Sequence, residues 1–377
     1  MQNPEAAVTS RYSEGAQARQ DALCCPITFN PEHLRVLPEE IIERDYGCGD
    51  PTPFVEPGDV VLDLGCGAGK VCWIAAQITG AEGRVIGVDM NTEMLALARQ
   101  HHADIAKRVG FDNVTYHRGM IQDLALDLDL LEEHLREKPV TGAESWLQLR
   151  HVEDGLRRDH TMIPDATVDV VVSNCVLNLV RPQDKDQLFE EIFRVVKPGG
   201  RVAISDIVAD EDVPQEMQDD PELWSGCISG SYREDLFLEA FAKAGFHGIE
   251  IVKRDEQPWQ TVNGIEFRAM TVRAYKEAEG VALERNQAVV YQGPFHEVLD
   301  DTGKKYPRGQ HIAVSDKAFA RLQRPPYAGM FAAIDPRVEV PVEEAGQYPG
   351  CRKAIRSPQE TKGEGYRESG SGNSSCC

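Results

Sequence analysis

The sequence predicts an α/β fold: a mostly parallel seven-stranded sheet with helices on both faces, then a small β-containing C-terminal module and a disordered tail. Three observations predict it. Between about residues 60 and 275, short apolar runs alternate with amphipathic stretches, the pattern of βαβ units. A glycine-rich loop stands between the first apolar run and the stretch that follows it. From about residue 287 the pattern changes to short strand-like runs around turn-rich segments.

Val60–Leu64 is an apolar run broken only by Asp63 and reads as a buried first strand, with residues 84–88 the second. The helix after it takes Asn91 as its N-cap, buries Met94, Leu95, Ala98 and Ile105, and stops at Gly110. Residues 114–117 and 168–173 supply strands three and four. Residues 185–196 read as a helix closed by the turn Lys197-Pro198-Gly199-Gly200, and 201–206 as strand five. A helix over 235–244 stops at Gly245, and 249–253 and 267–275 complete the sheet. Residues 124–167 are polar, charged and too long for a simple loop, so they are expected to form a partly helical insertion at the sheet's edge.

The predicted organisation has four parts: an N-terminal segment (1–54) carrying Cys24, Cys25 and Cys48, a nucleoside-binding domain (55–280), a module (281–335), and a tail (336–377). The module contains the strand-like runs Ala288–Tyr291 and 311–314 around Asp300-Asp301-Thr302-Gly303. The tail, rich in Gly, Ser, Glu and Lys, is expected to be disordered.

The 377 residues are 41 % hydrophobic, enough for a sizeable core. Forty basic against 62 acidic residues give a net charge of −22, which argues against nucleic acid and anionic membranes as partners. Residues 1–20 are polar, with no signal-peptide core, and no run approaches the ~18 apolar residues of a membrane span. A soluble cytoplasmic monomer is the expectation. The ten cysteines are then reduced thiols, too dispersed for a disulfide framework, and point to metal or thiol chemistry.

Asp63-Leu64-Gly65-Cys66-Gly67-Ala68-Gly69 follows a strand and precedes a helix, with glycines where a ligand must approach the backbone. Asp89 ends the second strand, where a carboxylate can accept both ribose hydroxyls of a nucleoside. Met90 follows it, Gly119-Met120-Ile121 follows strand three and suits an adenine ring, and Asn174 follows strand four. All of these lie at carboxyl ends of parallel strands. Lys70 follows Gly69, but the Ser/Thr of a phosphate-binding loop is missing, and the glycine spacing disfavours a nicotinamide site. Together the pieces resemble the cofactor motifs of class I S-adenosylmethionine (SAM) methyltransferases. The resemblance implies a Rossmann-like fold, with SAM held by Asp63, Gly65, Gly67, Gly69, Asp89, Met90, Met120, Ile121 and Asn174.

Four thiols are directed to the same edge. Cys72 starts the helix after the glycine loop, where the helix N-terminus favours a thiolate. Cys175 follows Asn174, Cys227 lies in Trp224-Ser225-Gly226-Cys227, and Cys48 sits between Gly47 and Gly49 before strand one. Any one of them is equally well a small buried hydrophobe; four together favour a soft electrophilic ligand. Zinc lacks the paired Cys or His spacing it needs. Cys66 reads as a small loop residue, while Cys24, Cys25, Cys351, Cys376 and Cys377 receive passive roles. Trp224 and Trp259 read as packing residues, and the histidines show no catalytic spacing.

Tyr46-Gly47-Cys48-Gly49, the loop through Gly69-Lys70-Val71-Cys72, Ser173-Asn174-Cys175-Val176-Leu177-Asn178-Leu179, and the stretch from Trp224 through Cys227 to Tyr232 resemble the arsenite methyltransferases. The resemblance implies catalytic roles for Cys48, Cys72, Cys175 and Cys227, with As(III) as substrate at Cys72, Cys175 and Cys227. Methyl transfer to thiolate-bound arsenic would then need no general base, because the arsenic lone pair carries no proton to remove. A Cys48–Cys72 disulfide would then be reset by a thiol reductant, glutathione or thioredoxin. A quinone- or sterol-type C- or O-methyltransferase and a non-catalytic thiol-based arsenic binder are the alternatives.

Overall fold

The computed structural model of the chain describes residues 4–20, 28–338, 340–350 and 355–362. The chain divides into two compact units, residues 1–277 and 278–377. The first opens with helices α1 (Pro4–Gln17), α2 (Pro31–Leu34) and α3 (Glu39–Glu43), then runs β1 (Val60–Leu64), α4 (Lys70–Thr79), β2 (Arg84–Asp89), α5 (Thr92–Val109) and β3 (Val114–Arg118). After it come α6 (Leu128–Glu137), α7 (Ala143–Asp159), β4 (Val168–Asn174), α8 (Lys185–Val195) and β5 (Val196–Ala209). The short helices α9 (Gln215–Gln218) and α10 (Pro221–Ser225), strand β6 (Tyr232–Arg233), helix α11 (Glu234–Ala244) and strands β7 (His247–Arg254), β8 (Gln260–Val262) and β9 (Ile265–Tyr275) complete it.

The sheet order is β3-β2-β1-β4-β5-β9-β7, with β6 on β5 and β8 on β9. The first five strands are parallel, while β9 runs antiparallel to β5 and β7. The period-2 alternation of strand side chains explains the two cores. Leu62, Leu64, Ile86, Val88, Val171, Val202 and Ile204 face the layer of α8 and α11, centred on Phe189, Phe237, Phe241 and Phe246. Val61, Val85, Val170 and Val172 face the opposite layer of α4 and α5, around Trp73 and Leu95. Asp63 lies on β1 between these apolar neighbours and is buried.

Element termini follow local chemistry. Asn91 Oδ1 accepts the Met94 N–H at 2.9 Å, and α5 and α11 end at Gly110 and Gly245 with φ of 95° and 101°. Strand β5 is longer than the sequence predicts, because the stretch 196–200 joins it ahead of Arg201. The insertion folds as α6 and α7 beside the edge strand β3, where Arg118 pairs with Glu132 and Arg157 with Asp123. The sequence reading left α1 to α3 unassigned. Helix α1 is tied down by Arg11, which donates to Glu222 O (3.0 Å) and Ser225 Oγ (3.1 Å), and by Asn91 Nδ2, which donates to Thr9 O (3.2 Å).

The second unit contains a sheet β13-β10-β14 (His311–Ala313, Ala288–Tyr291, Phe331–Ile334), a hairpin β11-β12 (Glu297–Leu299, Lys305–Pro307) and helix α12 (Asp316–Leu322). Its core holds Val289, Tyr291, Tyr306, Ile312, Val314, Leu322 and Phe331. The expected disorder after residue 336 does not extend to the described part of that stretch. Tyr348 Oη donates to Ala313 O at 2.8 Å, Arg356 pairs with Glu284 at 2.5 Å, and Pro358–Lys362 is helical. These side-chain anchors outweigh the polar composition. Among the described residues no helix is long and apolar enough to cross a membrane.

Candidate active site

The register of β1 with β2 and β4 pairs Leu64 with Val88 and Ser173, so the glycine loop, Asp89 and Asn174 leave the sheet side by side. At this point the chain diverges to either side of β1, which opens the crevice where such sheets bind ligands. The loop is drawn back onto β2 by the N–H groups of Gly65 and Cys66, which donate to Val88 O at 2.8 and 3.1 Å. Gly65 adopts φ of 67°, and a Cβ there would stand 2.5 Å from the Val176 side chain, so glycine is required for two reasons.

A cleft opens over this edge, lined by the expected Gly65, Gly67, Asp89, Met90, Met120, Ile121 and Asn174. Asp89 Oδ2 accepts the Gly67 N–H and Oδ1 the Asn91 N–H, each at 2.8 Å. Burial raises the Asp89 carboxyl above its ordinary value. Asn174 Oδ1 accepts the N–H groups of Cys48 and Gly49 at 2.9 and 3.0 Å, while its buried Nδ2 has no partner. A carboxylate at one end, an apolar slot at Met120 and Ile121, and an unsatisfied amide donor at the other suit a ligand joining a nucleoside to an amino acid. The residues present therefore fit SAM. Two residues expected to hold it stand apart from the lining: Gly69 lies against Tyr116, and Asp63 points into the protein.

The five described cysteines are reduced and form two groups. In the first, Cys48, Cys175 and Asp206 bring their sulfur and carboxylate atoms within 4.8 Å of one another. Cys227 joins them, its thiol donating to Cys175 O at 3.3 Å, with Tyr12 Oη 3.7 Å from its sulfur. Cys175 and Cys227 take φ of 64° and 62°, uncommon for side-chain-bearing residues. A small pocket lies against Cys175, Cys227, Gly47 and Trp259, and shares Tyr12, Tyr46 and Cys175 with the larger cleft. Gly47 is fixed by close approach: a Cβ on it would stand 2.2 Å from Asn174 Nδ2.

Cys72 belongs to the second group. Its thiol donates to Asp63 Oδ2 at 3.2 Å and is hydrogen-bonded to Cys66, beneath the glycine loop. Burial, then the Cys66 hydrogen bond and the Asp63 charge, hold the Cys72 thiol well above its ordinary pKa, and burial pushes Asp63 up to about 8. This corrects the expectation of a thiolate at the α4 N-terminus: the dipole is outweighed by desolvation and acidic neighbours. Cys66 likewise becomes the thiol neighbour of Cys72, raised to about 11 by burial.

Cys227 is raised by its hydrogen bond to Cys175 and by burial. At Cys175 the Cys227 hydrogen bond lowers the pKa, but Cys48 and burial prevail and the thiol is also raised. Asp206, pushed up to about 6 by burial, accepts the N–H of Ile207 (2.8 Å) and Leu177 (2.9 Å). Buried Lys185 is lowered to about 8 and donates to Gly230 O. Cys24, Cys25, Cys351, Cys376 and Cys377 lie outside the described residues.

Sequence reasoning missed Asp206, although it stands near the carboxyl end of a parallel strand and so carried the same signal as Asp89. It also missed Tyr12, whose helix lies far from the motifs and gave no signal. Tyr46 was quoted within a motif without a role. Trp259, read as packing, lines the thiol cavity, whereas Trp224 is buried with Nε1 donating to Leu179 O at 3.2 Å.

A methyltransferase-domain family model matches residues 55–133 and 151–254, and a domain of unknown function matches residues 278–366. The arsenite methyltransferase of Aquipseudomonas alcaligenes is 30 % identical over 346 residues, spanning 87 % of this chain and 90 % of that protein. The arsenite methyltransferase of Mus musculus is 28 % identical over 340 residues, spanning 87 % and 80 % respectively. The crystal structure of an arsenic(III) SAM methyltransferase from Chlamydomonas reinhardtii matches with a TM-score of 0.56 at 26 % identity, covering 86 % of this chain and all of that one. Fold, cleft and domain match define a class I SAM-dependent methyltransferase. Its similarity over nearly the full length of a relative is more specific. The chain belongs to the arsenite methyltransferase family.

Proposed function

We propose that this enzyme methylates trivalent arsenic held by Cys175 and Cys227, with Cys48 in the third thiol position. One observation carries the reading: Cys175 lies on the wall shared by the cofactor cleft and the thiol cavity, with Cys48 and Cys227 beside it. Asp89, the glycine loop, Met120, Ile121 and Asn174 would hold SAM, which supplies an electrophilic methyl group for the arsenic lone pair.

The raised thiols suit ligand exchange. Each new As–S bond replaces an As–OH or As–SR bond, and the thiol proton leaves with the departing hydroxide or thiolate as water or thiol. No external base is needed. Asn174 Oδ1, which accepts the N–H groups of Cys48 and Gly49, ties the Cys48 turn to the end of the strand that carries Cys175, and the two sulfurs lie within reach of a single atom. The protein's main contribution is then placement, an effect worth up to about 7–11 kcal/mol when the reacting groups are well oriented.

Transfer of the methyl as a cation leaves arsenic oxidised by two electrons. Two thiols closing to a disulfide return those electrons and release two protons, and glutathione or thioredoxin resets the pair. Cys48 is the closing thiol this reading favours, since it neighbours Cys175, whereas Cys72, the partner suggested by sequence, neighbours Cys66.

The test is release of S-adenosylhomocysteine by the full chain, with and without arsenite, in the presence of glutathione. Turnover should require arsenite. Turnover with a quinone or sterol acceptor instead, or arsenite binding without product, contradicts the reading.

A further inference from the structure

The cofactor cleft and the thiol cavity share Tyr12, Tyr46 and Cys175. A methyl group travelling from one to the other crosses the boundary these residues make, so the sulfonium that carries it must come up to that boundary. A sulfonium is a full positive charge, and removing it from water requires compensation. Each carboxylate lining the cleft already has partners within the protein. Asp89 accepts the N–H groups of Gly67 and Asn91, Asp45 is paired with Lys70 Nζ at 2.9 Å, and Glu5 with Arg181 at 2.9 Å.

What the boundary does offer is aromatic surface. The Tyr12 and Tyr46 rings lie 6.1 Å apart at 78°, forming a corner of two π systems. Each hydroxyl has a partner within the protein. Tyr12 Oη contacts Cys227 Sγ at 3.7 Å, and Tyr46 Oη donates to Gly15 O (3.1 Å) and accepts the Gln20 N–H (2.9 Å). Ring faces attract organic cations through the quadrupole, and more strongly where water is excluded.

We propose that Tyr12 and Tyr46 form the sulfonium subsite, binding the charged methyl donor in preference to the neutral thioether product. Methyl transfer removes the positive charge, and with it the attraction of the rings, which favours product release. The same two residues then set the donor against Cys175, since they wall both spaces. The inference rests on the cofactor placement proposed above and extends it to residues of α1 and the segment after α3.

Calorimetric titration of the full chain with SAM and, separately, S-adenosylhomocysteine tests it. Tyr12→Leu should weaken SAM about 3- to 30-fold, the span of a cation–π contact, and leave S-adenosylhomocysteine within about twofold. Tyr12→Phe should keep the SAM affinity, because the ring rather than the hydroxyl acts. Equal loss for both ligands, or equal loss in the Phe and Leu variants, overturns the proposal. Should the Leu variant fold poorly, phenylalanines bearing increasing numbers of ring fluorines at position 12 remove the quadrupole while keeping the shape. SAM affinity should then fall stepwise while the thioether's stays level, and a level SAM series overturns the proposal. Asp89→Ala separates the two failures. If it weakens both ligands while the fluorine series stays level, only the subsite is wrong; if it weakens neither, the cofactor placement is wrong.

Discussion

Cys175 and Cys227 hold their side chains from a left-handed backbone, a conformation that costs of order 1–3 kcal/mol at a residue with a Cβ. Neighbours enforce it: the Cys175 N–H donates to Ser205 O at 2.7 Å, and Asn178 Nδ2 donates to Cys227 O at 3.4 Å. The strain turns two sulfurs from distant parts of the chain toward one small space. Asp89 works by a different principle. Its two oxygens are already oriented by backbone N–H groups, and in the cofactor placement proposed above its remaining lone pairs would take a pair of ribose hydroxyls. Replacing it with alanine removes two hydrogen bonds to a charged acceptor, each worth about 1.5–3 kcal/mol, so Asp89→Ala should weaken SAM binding about 100-fold or more by calorimetry. An unchanged dissociation constant would place the ribose elsewhere.

Among the elements, β1 decides the geometry of the site, because its neighbours β2 and β4 are entered from opposite sides. Most of this was legible in the sequence. The period-2 and period-3.6 patterns gave seven of the nine strands, without β6 and β8 and with β5 beginning at Val196 rather than Arg201, and Asn91, Gly110 and Gly245 marked helix ends by their chemistry. Cys48, Cys175 and Cys227 were grouped in the sequence because Cys48 lies between two glycines, Cys175 follows a strand end and Cys227 sits in the loop past strand five. Cys72 was misplaced for a reason the pattern does not contain. Position at a helix N-terminus says which end of the sheet a residue occupies, but not whether its side chain faces the crevice or the interior. The path of α4 turns Cys72 inward to Asp63 and Cys66. Helix α1 was illegible because its sequence is nearly uniform in polarity, and Val8 and Ala16 are among the few side chains it buries.

On the scale of the whole molecule, buried carboxyls make stability depend on pH. Asp63 is held at about 8 in the folded chain by burial, against about 4 when unfolded. Between those values the folded chain binds the extra proton. The stability this contributes is complete below about pH 4 and disappears as pH rises through 8. Asp206, raised to about 6, adds to the same slope in the lower half of the window. Asparagine at position 63 keeps the shape and an acceptor for the Cys72 thiol but does not ionise. Asp63→Asn should therefore flatten the decline of the denaturant midpoint between pH 4 and 8. Parallel profiles for the two proteins would show that Asp63 is already ionised in the fold.

The measurement that bears most directly on the account compares the wild-type chain with Cys175→Ser and Cys227→Ser, each assayed for arsenite-dependent S-adenosylhomocysteine release and, by calorimetry, for SAM affinity. Both variants should lose turnover while binding SAM as tightly as the parent, because the hydroxyl preserves the cavity and removes the soft ligand. Full arsenite-dependent turnover in either variant would contradict it.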